Sequence, residues 1–221
     1  MSHISLRERF ARLQAEREQT WKPEQLAGNA RQRQALVASH EPAAHPQPGT
    51  VIAPFALIDQ DGRDLTRDTL TAGGPAVLVF FRFGGCPACN IALPYYNETL
   101  WPSLRAAGIP MVAVSAQTPV DRGIINRHGL TFTVATDPNY ALSRELGITF
   151  LPHDRPQVAP GEDWIGKTLG TDSYEMTQPA VLILDRGGEV RWLDISPDWL
   201  SRTESNEVLD HLPEVARKAA A

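Results

Sequence analysis

The chain has 221 residues, enough for one medium domain with an appendage and a sizeable core. Its 42% hydrophobic and 21% charged residues are those of a soluble globular protein, and a formal charge of -5 argues against a nucleic-acid partner. No apolar run approaches the roughly 20 residues that span a bilayer, and the opening MSHISLRERFARLQAERE lacks a signal-peptide core, so a cytoplasmic, reducing setting is expected.

Ser5 to about Gln19 predicts a charged amphipathic helix with Leu6, Phe10 and Leu13 on one face. Pro23 in a first turn opens a second helix that reaches about Ser39. EPAAHPQPG, Glu41 to Gly49, holds three prolines and a glycine and reads as a linker. The chain therefore divides into a helical extension over 1–41, a linker over 42–49 and a main domain over 50–221. Dimerisation, giving a homodimer, or packing on the main body are the two uses open to the extension.

The main domain begins with VIAPFALIDQDGR, an extended edge segment and an Asp61-Gly62 turn. PAVLVFFRF, Pro75 to Phe83, is nearly all apolar without alternation, as a strand buried on both faces requires. IALPYYNETLWPSLRAAG predicts a helix kinked at Pro94 and closed by Gly108. IPMVAVSA is a second buried strand, followed by a helix over Pro119 to His128. FTVATDPNYALSRELGI gives a strand, then Asp137 as N-cap with Pro138 at the first helical position. The long, Pro- and Gly-rich stretch Thr149 to Gln178 predicts a loop over one end of the sheet. PAVLILDRGGEVRWLDI is a hairpin turning at Arg186-Gly187-Gly188, and a last helix runs from about Ser205 to Lys218. Strands alternating with helices and closing in a hairpin define an α/β fold, a mixed sheet with helices on both faces.

Both cysteines of the chain, Cys86 and Cys89, lie where the first buried strand gives way to a helix. Free backbone N–H groups and the positive end of the helix dipole favour an anion there. A thiol of pKa about 8.5 is only about 3% thiolate at pH 7, whereas one lowered to about 6 is roughly 90% thiolate. Cys89, one turn on, points to the same side, within the span of a disulfide. Cys86, nearer the helix start, is expected to attack and Cys89 to resolve; Gly84 and Gly85 leave the Cys86 sulfur uncrowded. Zinc needs about four ligands; with six scattered histidines and one Cys pair, no metal and no cofactor is expected. Two inert buried thiols are the bland alternative.

From about Gly49 to the last helix the chain resembles the alkyl hydroperoxide reductase/thiol-specific antioxidant family of the thioredoxin fold, in a peroxiredoxin-like branch with Cys-Pro-x-Cys. GTVIAPFALIDQDGR is similar to the opening segment, VFFRFGGCPAC to the strand end with the cysteines, and TDPNYALSRELGI to the Asp-Pro helix. QPAVLILDRGGEVRW is similar to the closing hairpin and ISPDWLSRTESNEVLDHL to the tail. The resemblance implies a thioredoxin-like fold and a thiol peroxidase that takes a hydroperoxide and is recharged by a thioredoxin- or glutathione-type donor. It also implies a cis peptide at Pro179 facing the cysteines, with a strand-initiating trans proline as the alternative. Arg82, four residues before Cys86, is the candidate cation for the thiolate; a surface-facing charge is its other reading. Trp164, Trp192 and Trp199 receive no role.

Two departures bear on the chemistry. Val79 and Phe83 stand where most peroxiredoxins carry a proline and a hydroxyl residue, and Gly85 stands where the branch commonly has Trp. The missing hydroxyl motivates a second reading, a thiol–disulfide oxidoreductase acting on protein disulfides. A binding module that keeps the shape without the chemistry is the third.

Overall fold

The computed structural model describes residues 4–152, 165–214 and 217–218. The chain opens with α1 (Leu6–Thr20) and α2 (Pro23–Ala38). Ser5 starts α1 with a reciprocal cap: its Oγ accepts from the Glu8 N–H at 3.2 Å and the Glu8 carboxylate accepts from the Ser5 N–H at 3.0 Å. The hairpin β1 (Ala56–Asp59) and β2 (Asp64–Thr66) follows, then α3 (Arg67–Thr71) and β3 (Ala76–Phe80). Next come α4 (Cys89–Thr99), α5 (Trp101–Ala106), β4 (Met111–Ser115), α6 (Arg122–His128), β5 (Thr133–Thr136) and α7 (Ala141–Glu145). The rest comprises β6 (Thr149–Phe150), α8 (Ile165–Leu169), β7 (Met176–Thr177), β8 (Ala180–Leu184), β9 (Val190–Ile195) and α9 (Ser205–Asp210).

Seven strands form one sheet in the order β2-β1-β5-β4-β3-β8-β9. The central β5, β4 and β3 run parallel, while β8 and β9 on one side and β1 and β2 on the other are antiparallel. Every residue of β3 is buried, and its alternation splits the core in two. Val77 and Val79 face the layer that holds α1, α4 and α6. Ala76, Leu78 and Phe80 face the layer of α3 and α7. The unbroken apolar run in the sequence has this cause: helices cover both faces of the strand.

Several expected boundaries move. The helix after the cysteines keeps Pro94 inside α4 and is divided at Leu100, two residues before Pro102, which has no N–H to continue the helical ladder. Asp137 caps α7, its carboxylate accepting from the Leu142 and Ser143 N–H groups at 3.0 and 2.8 Å. It does so across a separate 3-10 turn, Pro138–Tyr140, in which Asn139 and Tyr140 adopt φ of 56° and 58°. Helix α9 ends at Asp210, ahead of Pro213, and helical backbone is described again at Glu214 and at Arg217 and Lys218. The stretch Thr149–Gln178 contains β6, α8 and β7; its centre, 153–164 with Trp164, lies outside the described residues. The hairpin at Arg186-Gly187-Gly188 is as expected, with φ of 81° and 82° at its two glycines, a backbone only glycine adopts without strain.

The N-terminal helices pack on the main body. Leu6 and Phe10 are buried in the same core as α4, and Leu36 of α2 joins them. The first free N–H groups of α1, those of Leu6 and Arg7, donate to the two oxygens of Glu204 at 3.1 and 2.9 Å, so the tail of the chain caps the first helix. Glu204 also accepts from the Tyr95 hydroxyl at 2.5 Å. On α2, Arg33 makes a two-pronged ion pair with Asp198, both contacts 2.7 Å. Glu204→Ala removes the cap and strands the Tyr95 hydroxyl, so it should cost about 1–3 kcal/mol. Urea denaturation checks the loss, and trypsin should then cut first within α1.

Candidate redox site

After β3 the chain is pinned residue by residue. The Phe81 N–H donates to the Val114 carbonyl at 2.9 Å, Ser115 Oγ donates to the Arg82 carbonyl at 2.9 Å, and the Gly84 N–H donates to Gln117 Oε1 at 2.9 Å. Asn90, near the start of α4, then ties the turn together. Its Nδ2 donates to the carbonyls of Gly84 and Cys86, both at 2.8 Å, while its Oδ1 meets Arg127 Nε at 3.1 Å and His128 Nε2 at 2.7 Å. The absent side chain of Gly84 serves a different neighbour from the one expected: a Cβ there would lie 1.9 Å from Asp121 Oδ2, the cap of α6. Gly84 is needed by Asp121, not by the sulfur.

Cys86 and Cys89 are both free thiols, buried and turned toward each other. Solvent reaches them unequally, with Cys86 6% exposed and Cys89 0%. The Cys86 thiol donates a hydrogen bond to the Cys89 sulfur, and this bond, followed by burial, pushes Cys86 well above the ordinary cysteine value. Burial pushes Cys89 the same way, but the hydrogen bond from Cys86, the Arg202 charge and the Arg82 backbone N–H together hold it well below. The two sulfurs therefore titrate together, and the Arg202 contact favours charge on Cys89. Cys89, not Cys86, is the first residue of α4, so the helix start expected to serve Cys86 lies at its neighbour.

Two guanidinium groups from the main domain face the pair. Arg202 Nη2 donates to Cys89 Sγ at 3.6 Å and its Nε donates to the Trp199 carbonyl at 3.0 Å. Burial works against the Arg202 charge, yet the sulfurs of Cys89 and Cys86 keep it above the usual arginine value. Arg82 does not face solvent: it is buried, with its guanidinium 3.8 Å from the Trp199 ring centre and 5.1 Å from that of Phe150. Burial pulls it down to about 10 against the support of both sulfurs. Trp199 therefore has a place in the site, as the plate on which Arg82 rests.

Pro179 requires a correction. The cis peptide bond among the described residues is Thr118–Pro119, and the bond before Pro179 is trans. The Gln178 N–H donates to the Ile148 carbonyl at 2.7 Å and the Pro179 carbonyl accepts from the Ser196 N–H at 2.8 Å, so the chain runs extended into β8 and proline starts the strand. Pro179 still borders a small cavity shared with Tyr96 and Arg202. Arg202 itself went unseen in the sequence: it lies 113 residues from Cys89, and no spacing links the two.

A model of the AhpC/TSA family matches residues 48–193. No curated protein matches the sequence. Among solved structures, peroxidoxin BcpB from Mycobacterium tuberculosis superposes with a TM-score of 0.56 at 17% identity, over 80% of this chain and 97% of its own. A cysteine variant of PrxQ from Xylella fastidiosa gives 0.57 at 13% identity, over 75% and 94%. A peroxiredoxin-like protein from Aquifex aeolicus gives 0.54 at 16% identity, over 76% and 89%. These likenesses carry the fold, which is thioredoxin-like.

The charge on Cys89 makes a measurable signature. Its depressed value means that thiolate is present above that value and disappears as pH falls through it. Arg202→Met should move this step upward by about one unit or more, roughly a tenfold loss of thiolate at pH values below both steps. Absorbance at 240 nm across a pH titration reads it.

Proposed function

Because the chain belongs to the AhpC/TSA family, we propose that it is a thiol-dependent peroxidase whose reacting pair is Cys86 and Cys89. The observation that carries this reading is the placement of the pair: two free thiols buried at the β3–α4 junction, Cys86 the more exposed, with Arg202 Nη2 at 3.6 Å from Cys89 Sγ. Cys86 is the sulfur that meets peroxide, because solvent reaches it and not its partner. The Cys86 sulfur attacks the distal peroxide oxygen as its own proton passes to the departing proximal oxygen, and the O–O bond breaks. Cys86 becomes sulfenic acid, and the departing alkoxide or hydroxide takes a proton and leaves as alcohol or water. Cys89, held as a thiolate beside Arg202, then attacks the Cys86 sulfur; a disulfide forms and the hydroxyl leaves as water once protonated. The sum is two thiols and one hydroperoxide giving one disulfide, one alcohol and one water. A thioredoxin- or glutathione-type thiol returns the two electrons.

Arg82 and Arg202 support charge at the pair throughout, and Pro179 has a bordering role only. Within the described residues no helix is long and apolar enough to cross a membrane.

A second reading, reduction or isomerisation of protein disulfides, is favoured by Phe83, which offers no hydroxyl beside Cys86 to orient a peroxide. One equivalent of hydrogen peroxide separates the two. Mass spectrometry should show the wild type lose two hydrogens within the chain, and Cys89→Ser stop at a Cys86 sulfenic acid. If Cys86 is oxidised no faster than a free thiol, while Cys89→Ser traps a partner through a mixed disulfide, the second reading holds.

A further inference from the structure

We propose that Asn90, the second residue of α4, is a positioning residue for the thiol pair: its side-chain amide, aimed by Arg127 and His128 of α6, fixes the backbone of Cys86 so that Cys89 closes on it quickly. This rests on reading Cys86 and Cys89 as the reacting pair. Cys86 follows Gly84 and Gly85, and Gly85 is exposed. Two glycines have no side chains for packing to grip, and glycine has the most conformational freedom to lose. A sulfur that must receive attack from a fixed neighbour needs a fixed backbone of its own. For this turn the restraint has to come from outside.

Asn90 delivers it. Its Nδ2 donates to the Gly84 and Cys86 carbonyls, both at 2.8 Å, one on each side of Gly85. Each of these carbonyls also accepts a second bond, Gly84 from Arg127 Nη2 at 3.2 Å and Cys86 from the Asn90 backbone N–H at 3.0 Å. The amide oxygen accepts from Arg127 Nε at 3.1 Å and lies 2.7 Å from His128 Nε2. Both amide hydrogens and both lone pairs are thereby used. A flipped amide would turn its N–H groups on the Arg127 donor and abandon both carbonyls, so α6 decides which way Asn90 points.

The helix itself does not require these side-chain bonds. The Asn90 N–H to the Cys86 carbonyl is the ordinary helical bond, and the Gly84 carbonyl lies outside α4. What the amide adds is a stationary Cys86. Cys89 is held by the start of α4, so with both backbones fixed the disulfide closes by side-chain rotation alone. Speed matters once Cys86 is a sulfenic acid. Either Cys89 attacks the Cys86 sulfur, the S–O bond breaks and water leaves, or a second hydroperoxide transfers an oxygen, giving sulfinic acid and an alcohol. The sulfinic acid is not reduced by thiols, and the clamp favours the other branch.

The test compares Asn90→Ala and Asn90→Asp with the wild type. Asp keeps the shape and the oxygen that faces Arg127 and His128 but has no hydrogens for the two carbonyls; Ala is neutral, so a shift common to both is not one of charge. Each protein is equilibrated in a glutathione redox buffer, quenched with acid and weighed by mass spectrometry. The ratio of Cys86–Cys89 disulfide to Cys86–glutathione mixed disulfide should fall about tenfold in both variants. Under excess hydrogen peroxide, the ratio of sulfinic acid to disulfide should rise by a similar factor. Folded variants that keep both wild-type ratios overturn the proposal and leave Asn90 a structural residue, even if their stability to urea drops. Should Asn90→Ala fail to fold, the isosteric Asn90→Asp decides alone. The glutathione ratio needs no peroxide, so a wild type that ignores peroxide defeats the peroxidase reading while Asn90 is still decided.

Discussion

The structure turns on one contact, the Arg202 guanidinium against the Cys89 sulfur, made where water does not reach. In such a place neither group tolerates its charge alone, and each makes the other's possible. The rest of the site is arranged around that contact. Trp199 offers Arg202 a carbonyl and Arg82 a ring; Cys86 gives its proton to the shared bond; and Phe10 of the first helix lies 5.5 Å from the Arg202 guanidinium, closing the far side.

That closure changes the meaning of the first forty residues. They read as an extension joined by a proline-rich linker, and on composition they are separable. In three dimensions they are bound to the opposite end of the chain, through Glu204 on the start of α1 and Asp198 on Arg33. The segment from Asp198 to Ser205 therefore reaches both the sulfurs and the first two helices. Packing supplies the apolar half of that attachment and ionic pairs supply its register.

The parts that were legible in the sequence are those governed by local patterns. Runs such as AVLVF and AVLIL become strands because burial on two faces leaves no place for a polar side chain. Ser5, Pro23 and Asp137 mark helix starts because unpaired N–H groups need oxygen or no proton at all. The two cysteines at the strand end announced the site. The illegible parts depend on distance through space. Arg202 lies 113 residues from Cys89 in sequence and carries no motif, so its burial is set only by the packing of whole elements. The cis bond expected at Pro179 was a matter of likeness, and no pattern local to Gln178–Pro179 distinguishes it from the trans bond found there.

The inaccessibility of Cys89 has a consequence for the return half of the cycle. An incoming donor thiol can touch only the Cys86 side of the proposed disulfide, so Cys89 must be the leaving group. A sulfur whose anion is already stabilised departs easily. The same arginine that keeps Cys89 ionised thus biases the oxidised pair toward ready reduction, and fixes which sulfur carries the mixed intermediate.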